Sequence, residues 1–128
     1  MSACTDVTGF GLAGHASEMA RASGVTLEIT ARDLPTLPGA LALAQEFLPC
    51  GGRANLKFYT GFATEPTVSP EWHLLCQDPQ TSGGLLMAVR PGQAGSFHRE
   101  LRALGVPAAI IGRVAAPLAE GAPLVRLL

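Results

Sequence analysis

The chain has 128 residues, 48% of them hydrophobic and 15% charged, with a formal net charge of −1. That length suits one domain with a real core, here 1–128. No apolar run reaches the roughly 18 residues of a membrane span, and the charge pattern of a secretory signal is absent. The near-neutral charge without a basic block argues against nucleic acid as a partner, as the hydropathy does against a membrane. Lys57 is the only lysine, which excludes a lysine-bearing Walker A loop. Cys4, Cys50 and Cys76 are too few and too widely spaced for a disulfide framework or a zinc site, and the expectation is reduced thiols in the cytoplasm.

The first informative stretch is Cys4-Thr5-Asp6-Val7-Thr8-Gly9-Phe10-Gly11-Leu12. It sets one carboxylate, two hydroxyls and two glycines ahead of a helical pattern, with no strand or helix expected before it. Two readings are open. Gly9 and Gly11 leave backbone N–H groups uncovered beside the positive end of a helix, which is the physics of a phosphate cradle with Asp6 holding a cation. The same residues also make a tight turn capped by Thr8.

Leu12, Ala16, Met19 and Ala20 recur at helical spacing against Ser17, Glu18 and Arg21, so a helix is expected from about Gly11 to Ser23. His15 on it reads as an exposed or hydrogen-bonded histidine. Val25 to Ile29 alternates as a strand. Pro38 then opens a second helix with Leu37, Leu41, Ala44 and Leu48 as its buried stripe, ending near Pro49. From Cys50 to Ser69 an irregular segment is expected, beginning in the Gly-rich loop 50–55. Trp72, Leu75 and Cys76 mark a short helix from Pro70.

Asp78-Pro79-Gln80-Thr81-Ser82-Gly83-Gly84 is a second polar loop, read either as a cation and phosphate site or as a turn with local Thr81 and Ser82 bonds. A strand over Leu85–Val89, a helix carrying Ala94, Phe97, Leu101 and Leu104, and a strand from Pro107 to Val114 follow. Their order predicts a βαβ unit with parallel strands and a right-handed crossover. Leu124 to Leu127 suits a last strand. The three histidines, His15, His73 and His98, fall in helical stretches away from both loops, so neither loop offers a set for nucleophilic catalysis.

Together, residues 5–12 with Gly14-His15, and residues 78–86, resemble the C-terminal half of the selenophosphate synthetase (selenide, water dikinase) family. Leu34-Pro35 to Pro38-Gly39, Asn55 and Ile111-Gly112-Arg113-Val114 extend the likeness over essentially the whole chain. Aminoimidazole ribonucleotide synthetase and the hydrogenase-maturation dehydratase share the fold but differ in these loops.

The resemblance implies an α+β layered fold, a mixed sheet packed with helices and partly ferredoxin-like in topology. It implies an enzyme that turns ATP, selenide and water into selenophosphate, AMP and orthophosphate with Mg2+. An N-terminal domain of the same chain would carry most of the ATP site, the catalytic lysine and a reactive cysteine or selenocysteine. The segment here would then be a C-terminal piece, with Met1-Ser2 as an appended start. It would hold no catalytic residue, bind neither Mg2+ nor ATP tightly and be inactive alone, while the full-length protein would be a homodimer.

Residue by residue, Asp6 matches the family's metal-binding aspartate. Thr5, Thr8, Gly9, Phe10 and Gly11 match the adjoining cleft loop, expected to be more mobile than the helix after it. Asp78–Gly84 matches a structural or cleft-lining loop. Where the family often shows Gly-Gly-Thr-x-Arg-Asn, this chain has Cys50-Gly51-Gly52-Arg53-Ala54-Asn55, with Ala54 in the arginine's place. A related ATP-dependent synthetase of purine or cofactor biosynthesis, and a free-standing binding module, remain as alternatives.

Overall fold

A computed structural model describes residues 1–117, 119 and 121–128. The elements are β1 (Ala3–Asp6), α1 (Gly11–Ser23), β2 (Thr26–Ile29), a 3-10 turn (Ala31–Asp33), α2 (Ala40–Leu43), α3 (Cys50–Phe58), β3 (Phe62–Thr64), α4 (Pro70–Gln77), β4 (Leu85–Ala88), α5 (Pro91–Ala103), β5 (Gly112–Ala115) and β6 (Val125–Leu127). The strands form a four-stranded sheet in the order β3-β6-β2-β5 and a separate two-stranded ribbon, β1-β4. The larger sheet is mixed, with β6 parallel to β2 and β3 and β5 antiparallel to β2. The fold is α+β, as the resemblance implies. Among the described residues no helix is long and apolar enough to cross a membrane.

The core forms where α1 lies on the four-stranded sheet. Ala13, Ala16 and Ala20 of α1 pack with Leu27, Ile29, Phe62, Val125 and Leu127, all buried. Alternation along β2 sends Leu27 and Ile29 to this face and Glu28 to the other. There Arg113 Nε donates to Glu28 at 2.6 Å, while Arg126 donates to Glu28 at 2.9 Å and to Glu65 at 2.6 Å. Ion pairs therefore stitch the face that the helix leaves uncovered. Ser17, expected on the polar side of α1, is buried and donates to the Ala13 carbonyl at 2.6 Å. Small side chains let α1 sink in on several sides at once.

Several expectations are corrected. Ala3–Asp6 is a strand, so the first motif opens on a strand of its own. That strand takes β4 as its antiparallel partner, from Ala3 opposite Ala88 to Asp6 opposite Leu85. β4 and β5 consequently lie in different sheets, and the parallel βαβ unit does not exist. The second helix is one turn, because Gly39 enters in the left-handed region (φ 83°) and Leu37 stays outside and exposed. Ala44 and Leu48 are buried as expected.

The irregular segment after Cys50 is instead a helix and a short strand, α3 and β3. Gly51 and Gly52, read as loop residues, are the close-approach face of α3. A Cβ on Gly52 would sit 2.5 Å from Leu48 Cδ1, and one on Gly51 would sit 2.8 Å from Pro79 Cγ. β5 is shorter than expected, with Ile110 exposed and Ile111 packed on the core. None of the α5 stripe is buried.

Candidate functional site

The two polar loops, 72 residues apart at Asp6 and Asp78, are brought together by the β1-β4 ribbon. Val7 N–H donates to the Gly84 carbonyl at 2.9 Å, and Gln80 N–H donates to the Thr8 carbonyl at 3.0 Å. Glycines are required at the seam. A Cβ on Gly83 would lie 1.8 Å from the Val7 carbonyl oxygen. Gly11 (φ 66°) sits where a Cβ would be 2.6 Å from the Cys76 carbonyl oxygen, so the helix start is pressed against the end of α4. Gly9 has open space on its side-chain side.

Each predicted residue has a place. Asp6 ends β1 with its side chain in solvent, and the Thr5 hydroxyl beside it donates to the Asp6 carbonyl at 3.1 Å. Thr8 does not cap the helix. Phe10 occupies the cap position and no side chain bonds there, so the first turn of α1 carries no side-chain cap. The Thr8 carbonyl accepts from both Gly11 and Gln80 N–H, at 3.0 Å each. Phe10 stacks on His15 at 5.4 Å and tilts against Tyr59 at 5.6 Å. Gly14 makes room for that pair, since a Cβ would be 2.5 Å from Phe10 Cβ and 2.8 Å from Tyr59 Cε2.

Two functional contacts escape a reading of the sequence by segments. His15, expected away from the loops, is buried with Nε2 3.0 Å from Thr8 Oγ1. Glu18 lies 3.5 Å from His15 Nδ1. A carboxylate there favours the tautomer with a proton on Nδ1, leaving Nε2 to accept from the Thr8 hydroxyl. Helical side chains lean toward the helix start, so a residue one turn inside α1 covers the preceding loop; that geometry was the available signal. Asn55, the other, is buried and donates from Nδ2 to Gly9 O at 3.0 Å and Gln77 O at 2.9 Å. Ala54, in the arginine's place, is exposed, and Arg53 turns back to the Leu48 carbonyl at 3.3 Å.

In the second loop, local bonds come from Gln80 rather than from Thr81 or Ser82. Its Nε2 donates to Asp78 Oδ2 at 3.0 Å and to the Asp78 carbonyl at 3.2 Å. Burial pushes the Asp78 carboxyl above its usual range, partly offset by the Gln80 bond. Burial raises Tyr59, with Glu18 adding to the shift and Arg21 opposing it. It also lifts the Cys76 thiol to about 12. Asp6 offers a hard, accessible oxygen donor. Among the described residues no group of three His, Cys, Asp or Glu side chains converges as a metal cage. A Mg2+ ion bound mainly through phosphate oxygens and water takes one or two carboxylates from a protein, a requirement that an exposed Asp6 is compatible with.

Curated relatives match the chain over most of its length. The chain is 45% identical to a selenide, water dikinase of Caldanaerobacter subterraneus subsp. tengcongensis over 89% of its own length and 34% of the relative's. It is 45% identical to that of Nitratidesulfovibrio vulgaris over 100% and 36%. With that of Rhizobium meliloti it shares 43% over 92% and 35%. The chain thus spans about a third of the length of the curated relatives it matches. The family described as AIR synthase related protein, C-terminal domain, matches residues 1–121, nearly the whole chain, and the chain belongs to that family.

Proposed function

We propose that this chain is the C-terminal domain of a selenide, water dikinase and closes the enzyme's Mg-ATP phosphate site with residues 5–12. The observation that carries this is the seam itself. Two polar loops and Asn55 lock together while Asp6, Gly9 and Phe10 stay exposed just ahead of α1. The relatives' shared name favours selenium chemistry over the purine and cofactor synthetases that also fit the fold.

In this reading Asp6 would help to hold the Mg2+ that accompanies ATP. That Mg2+, when bound, neutralises charge developing on the transferred phosphoryl group. The Gly9–Gly11 turn supplies backbone donors for phosphate oxygens, and the α1 dipole favours the negative charge. The Glu18–His15–Thr8 arrangement fixes the turn's hydroxyl, and Phe10 and Tyr59 shield that side from water. The nucleophile and the lysine would come from a further domain of the same enzyme. Homodimerisation of the full-length protein and a cytoplasmic setting belong to the same reading.

A chimera tests it. The matching third of the Rhizobium meliloti enzyme is replaced by this chain, and selenophosphate formation from ATP and selenide is followed by phosphorus NMR. The chimera is expected to make selenophosphate and the 128-residue chain alone to make none. A folded chimera that binds ATP yet forms no selenophosphate overturns the assignment. Product from the chain alone overturns the need for a second domain.

A further inference from the structure

The Asn55 side-chain amide joins the first loop, at Gly9, to the end of α4, at Gln77, just ahead of the second loop. Asn55 lies on α3, and Gly51 and Gly52 let that helix come against Pro79, Leu48 and the Gln77 carbonyl, near enough for the amide to bridge. Nδ2 uses its two hydrogens on two segments, the Gly9 carbonyl at 3.0 Å and the Gln77 carbonyl at 2.9 Å. Acceptors outnumber donors in this corner, since the neighbouring Gln77 Oε1 is buried with no partner among the described residues. Removing the Asn55 donors would leave two further carbonyls there unpaired.

The bond to Gly9 has a directional consequence. A trans peptide points its C=O and N–H to opposite sides, and no cis bond occurs among the described residues. With the Gly9 carbonyl held inward by Asn55, the N–H of Phe10 in the same peptide plane points the other way. No hydrogen bond to that N–H occurs among the described residues. The Gly9 side of the turn is also open.

We propose that Asn55 is a positioning residue that anchors the Gly9 carbonyl and thereby presents the Phe10 N–H outward as a donor to a phosphate oxygen. The inference rests on the phosphate-closing reading of residues 5–12 and adds to it the residue that sets the turn's orientation. The anchor comes from a helix 46 residues away in sequence, so the donor is preorganised by tertiary packing rather than by the loop itself.

Two measurements decide it. In the 128-residue chain, Asn55→Asp keeps the side-chain shape and removes both donors. Amide hydrogen exchange at Gly11 and Gln80, both bonded to the Thr8 carbonyl, is expected to accelerate about tenfold. Exchange at Leu27 and Val125, bonded within the packed sheet, is expected to accelerate less, because those amides report only the global loss of stability. Equal acceleration at all four, or at none, overturns the anchor.

In the active chimera, Asn55→Asp is expected to raise the KM for magnesium ATP about tenfold, a change that the fall in Tm from the unpaired carbonyls does not by itself produce. An unchanged KM with a lower kcat overturns the proposal, because loss of folded enzyme lowers kcat alone. A parental chimera with no activity counts against the domain reading, and the exchange experiment still decides the anchor.

Discussion

Every residue of β2 is buried, and not one residue of α5 is. The four-stranded half, with α1 and α4 packed on it, has a continuous apolar core and an ion-paired outer face. The half made by β1, β4 and α5 is a two-stranded ribbon with an exposed helix. Leu85 and Leu104 are open to solvent there, as is Val114 on the adjoining edge strand β5. A lone ribbon is marginal in water, so this half is held through its seam with α1 and α4. The candidate site lies on that seam. The packed half supplies rigidity, and the open half supplies the loop and the apolar surface expected where another domain docks.

Substitutions should therefore separate activity from stability. The largest expected effect is on turnover: Asp6→Asn in the chimera lowers selenophosphate formation about 100-fold and shifts its magnesium dependence, with Tm unchanged. Unchanged kinetics remove Asp6 from the site.

Next come two glycines with the same steric conflict in the two halves. A Cβ on Gly112 would lie 2.0 Å from the Glu28 carbonyl oxygen, inside the β2–β5 pairing, and Gly83 faces Val7 at 1.8 Å. Gly112→Ala is expected to cost about 3 kcal/mol in urea unfolding. Gly83→Ala opens the seam locally, speeding amide exchange at Val7 while Leu27 and Val125 keep their rates. Equal global losses would erase the distinction between the halves. The same exchange data test whether residues 5–11 move more than α1.

Thiol labelling gives a sharper, smaller contrast. Cys4 on β1 and Cys50 at the start of α3 are exposed, whereas Cys76 is buried with its thiol pushed up to about 12. At neutral pH two thiols are expected to react promptly with a maleimide and the third only on unfolding. Early labelling of Cys76 would mean that α4 opens with the seam.

The smallest effect is at Asp78. Its folded pKa is raised by burial, so the folded state holds the proton more tightly than the unfolded one. Stability contributed by the neutral form is present at acid pH and lost as pH rises through the raised value. Asp78→Asn should give a slight gain in Tm at neutral pH that disappears below the ordinary aspartate range. A gain at all pH values would point to packing instead.

Much of this was legible from local pattern. The first helix, the strand after it and the helix after Pro91 follow from periodicity, and the two Asp-hydroxyl-Gly loops were visible as motifs. Ala3–Asp6 carries no strand signal because its four residues do not alternate; the partner β4 makes it a strand. The Cys50–Asn55 stretch reads locally as loop because glycine disfavours helix by about 1 kcal/mol per residue. Close contact with Pro79, Leu48 and the end of α4 overrides that cost. His15 and Asn55 were visible as residues, but not as holders of the turn, because each acts across a gap that only packing closes.

By itself, the sequence determined that a hard carboxylate, small hydroxyls and glycines stand ahead of a helix, since those properties belong to the residues wherever the chain goes. Tertiary structure decided that the two loops are one seam, that β4 leaves β5 to pair with β1, and that the Gly9 carbonyl is turned inward by an amide from α3. Strand pairing and hydrogen-bond direction depend on which groups arrive within 3 Å of one another. Spacing along the chain does not encode that distance.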